Sequence, residues 1–186
     1  MKEQVDRAVE LLRGGGIILY PTDTVWGVGC DATNAEAVAK IYALKRSENK
    51  MGMIVLCNSL DMVVRYIKRP LSVAMDLMEV SDSPLTVIMP GGAGVAANLI
   101  PEGGALAMRV ANHDFCLALT RRLGRPVVST SANISGESTP ERFDQISREI
   151  IDGVDMVIDP RFEGKPTRKP SSIILFNEDE SFKIIR

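Results

Sequence analysis

Ile17-Ile18-Leu19-Tyr20-Pro21-Thr22-Asp23-Thr24-Val25-Trp26-Gly27-Val28-Gly29 opens with a short apolar run and closes on two glycines separated by a valine. The run Ile17–Tyr20 reads as a buried strand. At its C-terminal end the chain turns at a proline and presents two threonines and an aspartate. Hydroxyls and free backbone groups at a strand end can position a small polar ligand. A second stretch of the same kind lies about a hundred residues on: Val127-Val128-Ser129-Thr130-Ser131-Ala132-Asn133-Ile134-Ser135-Gly136. Two hydroxyl-bearing loops, each leaving a strand, predict one shared site.

Outward from these two stretches, strands and helices alternate. Val5, Ala8, Val9, Leu11 and Leu12 form a helical stripe that stops at Gly14-Gly15-Gly16. Thr33-Asn34-Ala35-Glu36 fits a capping box and opens a helix to about Lys45. Strands are predicted at Met53–Cys57, Leu85–Met89, Leu106–Val110, Pro126–Thr130, Val154–Ile158, Ser172–Phe176 and Phe182–Ile185. Helices are predicted at Ser59–Ile67, at Leu71–Val80, from His113 to Leu123 with Asn112 as cap and Gly124 as stop, and from Thr139-Pro140 to about Ile151. The alternation argues for an α/β fold, and the late strands without long crossovers argue for a mixed sheet.

The chain has 186 residues, 45% hydrophobic and 25% charged, which suits one domain over residues 1–186 with a sizeable core. Its formal net charge of −2 gives no general basic character, so any nucleic-acid contact has to come from a local patch. The three cysteines, Cys30, Cys57 and Cys116, are far apart and without a Cys-x-x-Cys, as in a cytoplasmic protein with reduced thiols. The one histidine excludes a His-based metal site. The polar N-terminus is no signal peptide, and no apolar run has membrane-spanning length.

Taken together, the motifs resemble the YrdC/TsaC family, the threonylcarbamoyl-AMP synthases, in its short single-domain form. The resemblance rests on Pro21-Thr22-Asp23-Thr24, the aromatic Trp26, Gly27-Val28-Gly29, Lys45, Ala107-Met108-Arg109-Val110, Ser129-Thr130-Ser131-Ala132-Asn133-Ile134-Ser135-Gly136 and Pro170-Ser171-Ser172-Ile173. It covers about Ile17 to Ile174. It implies a twisted mixed sheet flanked by helices around a large concave cleft. It implies synthesis of threonylcarbamoyl-AMP and pyrophosphate from L-threonine, bicarbonate and ATP for tRNA threonylcarbamoyl-adenosine modification. A separate tRNA threonylcarbamoyl transferase protein is then the implied partner, and Mg²⁺ enters as the ATP counter-ion, held mostly by phosphates and water.

The same resemblance distributes roles. Thr22 and Thr24 contact threonine and the nascent carbamate, with turn capping as their plainer use. Trp26, where the family usually has Tyr or Phe, walls the threonine pocket, and Thr86 reaches the same site. Lys45 with Arg46, or Lys50, supplies the charge that grips phosphate or carboxylate; the family's Lys-x-Arg is broken here because Ser47 holds the third position and Arg46 is shifted by one, about 100° of helix rotation. Arg109 is a charge inside an apolar strand, which the resemblance places near nucleotide phosphate; the plainer readings are an inward ion pair or an edge-strand charge. Thr130, Ser131 and Asn133 bind nucleotide; Ser171 and Ser172 hydrogen-bond it, and Arg168 meets phosphate or remains a solvated loop charge. The roles of Asp23 and His113 stay open. Two competing readings are an RNA-binding module and a relative that has the fold without the synthase reaction.

Overall fold

The computed structural model describes residues 1–47 and 53–186. One mixed sheet of nine strands organises them. In chain order these are β1 (Ile18–Tyr20), β2 (Gly27–Gly29), β3 (Ile54–Cys57), β4 (Leu85–Met89), β5 (Leu106–Val110), β6 (Val127–Ser131), β7 (Met156–Val157), β8 (Ser172–Phe176) and β9 (Phe182–Ile184). Their spatial order is β7-β1-β2-β6-β3-β5-β4-β8-β9. Three pairs are parallel (β1 with β7, β3 with β5, β4 with β8) and five are antiparallel, among them the run β1-β2-β6-β3.

The helices are α1 (Lys2–Arg13), α2 (Ala35–Leu44), α3 (Leu60–Val64), α4 (Ser72–Val80), α5 (Asp114–Leu123) and α6 (Arg148–Gly153). Helix α1 buries Val5, Ala8, Val9 and Leu12 of the predicted stripe, leaves Leu11 half-buried, and packs against α5. Helix α5 ends on Gly124 at φ 75°, a left-handed cap that costs glycine nothing. The cysteines are all buried and free, and burial pushes every one of their thiols above the ordinary range, Cys57 to about 12.

Four local expectations change. The N-cap of α2 is Asn34, whose Oδ1 accepts from Glu36 N and Ala37 N at 3.0 Å each, while the Thr33 hydroxyl donates to Asp31; the cap is a simple asparagine one. Asn112 does not cap α5: His113 is the N-cap, without a side-chain bond, and the Asn112 main chain donates instead to Asp23. The helix predicted to α6 from Thr139-Pro140 is split into a 3₁₀ turn, Phe143–Gln145, and α6 itself. The break is at Ile146, extended and buried, after which Ser147 supplies a new cap. The helix after Ser59 stops at Val64 rather than Ile67, because Ile67 turns into a bridge with Gly92.

Candidate functional site

β2 is the element that builds the site. Gly27 and Val28 pair with Ser131 and Thr130 of β6, while the same strand pairs with β1 on its other side. The Pro21–Trp26 turn is thereby fixed beside the hydroxyl-bearing end of β6, and the two stretches singled out in sequence become neighbours. Only glycine fits at position 29, where an added Cβ would stand 2.3 Å from the carbonyl oxygen of Val128.

Between these loops and one face of the sheet lies a cavity of about 290 Å³. Thr22, Thr24, Trp26 and Gly27 line one side, and Ser129, Thr130 and Ser131 another. Its floor is apolar, with Ile54 of β3, Ile88 of β4, Ala107 of β5 and Ile173 of β8. Ala107 and Arg109, two apart on β5, share that face as strand periodicity requires. Thr86, Ser171 and Arg186 complete the wall.

The hydroxyls in the first loop form a directed chain. Arg109 Nη1 donates to Thr24 Oγ1 (3.3 Å), which lies 3.0 Å from Thr22 Oγ1. Thr22 Oγ1 donates to the carbonyl of Val25 (2.7 Å) and accepts from the Thr24 N–H (3.1 Å). With the Thr22 proton committed to Val25, the Thr24 hydroxyl donates to Thr22. Thr22 therefore caps the turn as well as facing the cavity. On the far side Thr86 Oγ1 and Ser171 Oγ are 2.7 Å apart and buried.

Arg109 is 3% exposed and makes an inward ion pair: its Nη2 is 3.1 Å from Asp23 Oδ1. That contact lacks hydrogen-bond alignment, and the buried Arg109 Nε has no hydrogen-bond partner. Trp26 is buried against Phe143, ring centroids 4.9 Å apart, and its Nε1 donates to Glu163 Oε1 (2.7 Å). Glu163 belongs to a strap that continues through Ser171. The strap is tied down by His113 Nε2 at the Glu163 carbonyl (3.0 Å) and by the N–H groups of Thr167 and Arg168, which donate to the carbonyls of Asp23 and Thr24 at 2.9 Å each.

Other predicted residues take different places. Lys45 does not line the cavity; its Nζ donates to the carbonyls of Ser131 and Asn133, 2.5 Å each, and burial pushes its ammonium down to about 8. Arg46, at φ 53°, turns outward to Glu149 of α6 (2.6 Å) and is 67% exposed. Asn133 uses its Nδ2 on the carbonyls of Ile134 and Glu137, and its buried Oδ1 has no hydrogen-bond partner. Arg168, at φ 58°, and Ser172 are exposed outside the cavity wall. Lys50 lies outside the described residues. Sequence reasoning missed Arg186, whose Nε donates to the Ser171 carbonyl (3.1 Å), and Glu163; both reach the site through contacts distant in sequence.

A family model described as telomere recombination, covering Sua5, YciO and YrdC proteins, matches residues 10–186. The chain belongs to the Sua5/YciO/YrdC family. Within it, a threonylcarbamoyl-AMP synthase of Idiomarina loihiensis is 33% identical over an alignment of 172 residues that covers 88% of this chain and 92% of that protein. E. coli YciO superposes with a TM-score of 0.86 at 26% identity, over 100% of this chain and 89% of that one. A variant of P. abyssi Sua5 superposes with a TM-score of 0.88 at 25% identity; the chain spans 56% of that structure's length. The large mixed sheet and its flanking helices are those of Sua5/YciO/YrdC structures, as the resemblance implied. Among the described residues no three potential metal ligands cluster, and no helix is long and apolar enough to cross a membrane.

Proposed function

We propose that the chain is a nucleotidyltransferase that makes threonylcarbamoyl-AMP from L-threonine, bicarbonate and ATP. The observation that carries this reading is the composition of the cavity: hydroxyls, a buried arginine, a second arginine and an apolar floor, with no side-chain carboxylate and no nucleophile–base pair among the described residues that line it. Such a site suits positioning and charge stabilisation rather than covalent catalysis. The name of the Idiomarina relative agrees with it.

In the reaction, the threonine amine adds to the carbon of bicarbonate and water leaves, giving a carbamate. A carbamate oxygen then bonds the α-phosphorus of ATP, the bond to the bridging oxygen breaks, and pyrophosphate departs. The Thr24 hydroxyl, with an acceptor lone pair facing the cavity, orients the amine or carbamate beside Thr22 and Trp26. Arg109 and Arg186 meet phosphate, joined by Thr130, Ser131 and Ser171; Arg186 is anchored through its Nε, which leaves its terminal nitrogens for oxygen. The apolar floor carries the base. Mg²⁺ would come with the nucleotide and neutralise phosphate charge, since the described lining residues offer it no side-chain carboxylate. The buried, protonated thiols fit a cytosolic enzyme, whose labile product passes to a separate tRNA threonylcarbamoyl transferase.

One observation favours a second reading, a family member with the fold and another reaction: Arg46 is turned away to Glu149. Pyrophosphate release measured with and without threonine and bicarbonate separates the two. Release that needs both co-substrates supports the synthase; ATP binding without such release supports the other reading.

A further inference from the structure

The alternation along Thr22-Asp23-Thr24 puts the threonines and Asp23 on opposite sides of the turn. Thr22 and Thr24 line the main cavity, whereas Asp23 lines a second one of about 170 Å³, bordered by Ser83, Asn112, Lys165 and Thr167. Arg109 lies between, facing the main cavity with its counter-ion behind it. Asp23 is 7% exposed. Its Oδ2 accepts from the Asn112 N–H (3.2 Å) and its main-chain carbonyl from the Thr167 N–H (2.9 Å). It therefore joins the turn, the end of β5 and the strap, and it is locked from three sides.

Arg109, by contrast, is incompletely satisfied. A buried guanidinium normally commits all its donors. Here Nη1 has Thr24, Nη2 has an unaligned ion pair, and Nε has nothing. The Nε is sealed from solvent, so the group that faces the cavity is the pair of terminal nitrogens, one on Thr24 and one in the unaligned pair with Asp23. Asp23 contributes two opposing effects. It fixes the guanidinium from behind, and its negative charge, a few ångströms beyond, weakens the grip on any polyanion in front.

We propose that Asp23 is the positioning residue for Arg109 and, at the same time, the opposing charge that keeps the site from holding its anionic product too tightly. This rests on the reading of the main cavity as a nucleotide site. Without Asp23 the site binds pyrophosphate better and turns over worse.

The experiment compares the full chain with D23N, D23E, R109Q and D23N/R109Q. Inorganic pyrophosphate affinity is measured by calorimetry, and kcat and KM by threonine-dependent pyrophosphate release. D23N is expected to bind pyrophosphate about tenfold more tightly while kcat drops about tenfold, the scale of one removed charge near a partly buried site. D23E keeps the charge and displaces the guanidinium by one methylene, so its pyrophosphate affinity stays within about twofold of the parent and its kcat falls. In the R109Q background, D23N still tightens pyrophosphate binding, because the carboxylate repels the anion directly, but it no longer lowers kcat, because there is no guanidinium left to position. Unchanged or weaker pyrophosphate binding by D23N overturns the proposal. Should D23N fail to fold, a D23E enzyme with parental kcat overturns it instead. The two readings fail separately. A parent that binds pyrophosphate but shows no threonine-dependent release refutes the synthase and leaves the affinity comparison decisive for Asp23. A parent that binds no pyrophosphate refutes both.

Discussion

The ammonium of Lys45, at the end of α2, lies 2.5 Å from the main-chain oxygen of Asn133, and the same nitrogen reaches the oxygen of Ser131. The peptide bond is returned in the other direction, since the Ser135 N–H donates to the Lys45 carbonyl. Lys45 thus clamps the loop after β6, and its influence on the cavity passes through the backbone of that loop.

This clamp predicts a pH dependence. Burial lowers the Lys45 ammonium from its ordinary 10.5 to about 8. Between those values the unfolded chain holds more protons than the folded one, so stability conferred by this group rises with pH from about 8 to 10.5, and is level below 8, where both states are protonated. K45M leaves two carbonyls without their donor and is expected to cost about 1–3 kcal/mol at neutral pH. Urea unfolding of both proteins at several pH values checks this: the gap between them widens above pH 8. A gap independent of pH refutes the assignment.

Trp26 is the one tryptophan of the chain and a wall of the cavity. Its fluorescence is therefore a direct report on occupancy. Titration with ATP or threonine is expected to change the emission saturably, and R109Q is expected to shift the ATP midpoint to higher concentration. W26F removes the donor to Glu163 and is expected to cost about 1 kcal/mol, with the strap held less firmly. A saturable binding curve by calorimetry without any emission change would place the ligand elsewhere.

The two glycines of β2 differ in what they tolerate. An alanine at 29 would meet main-chain oxygen at 2.3 Å and the Tyr20 ring at 2.6 Å, so G29A is expected to lose about 3 kcal/mol or more. At 27 the nearest atom is the Ser129 hydroxyl at 3.1 Å, and the new methyl enters the cavity. G27A is expected to fold and to raise KM. Thermal melts and kinetics on both variants test the distinction.

The arginines provide a contrast. Arg46 spends its charge on an exposed pair with Glu149, worth about 0–1 kcal/mol. R46A is expected to leave ATP affinity within about twofold. R186Q removes a cavity wall and is expected to weaken ATP binding about tenfold or more. The reverse order of effects would show that Arg46 swings inward in the working enzyme.

Regular patterning made much of this legible in the sequence. Strands such as Leu106–Val110 and helices such as α1 and α5 announce themselves through period and caps, and the hydroxyls that meet across β2 and β6 were both visible as strand-end loops. Gly27-Val28-Gly29 was not visible as a strand, since glycine disfavours extended structure; at 29 it is needed because β6 and Tyr20 crowd the backbone. The direction of Arg46 depends on a left-handed residue that no periodicity forecasts. The inward Asp23–Arg109 pair was one of three open outcomes for Arg109. Arg186 and Glu163 enter through a hairpin and a strap, where position depends on long-range pairing rather than local spacing.

The sealed cysteines turn the folded chain into its own unfolding gauge. Three thiols, one just after β2, one at the end of β3 and one in the first turn of α5, are shut from solvent and held protonated, so an alkylating reagent should label none of them while the structure is closed. The order in which Cys30, Cys57 and Cys116 become labelled under mild denaturant would then show which part of the sheet opens first.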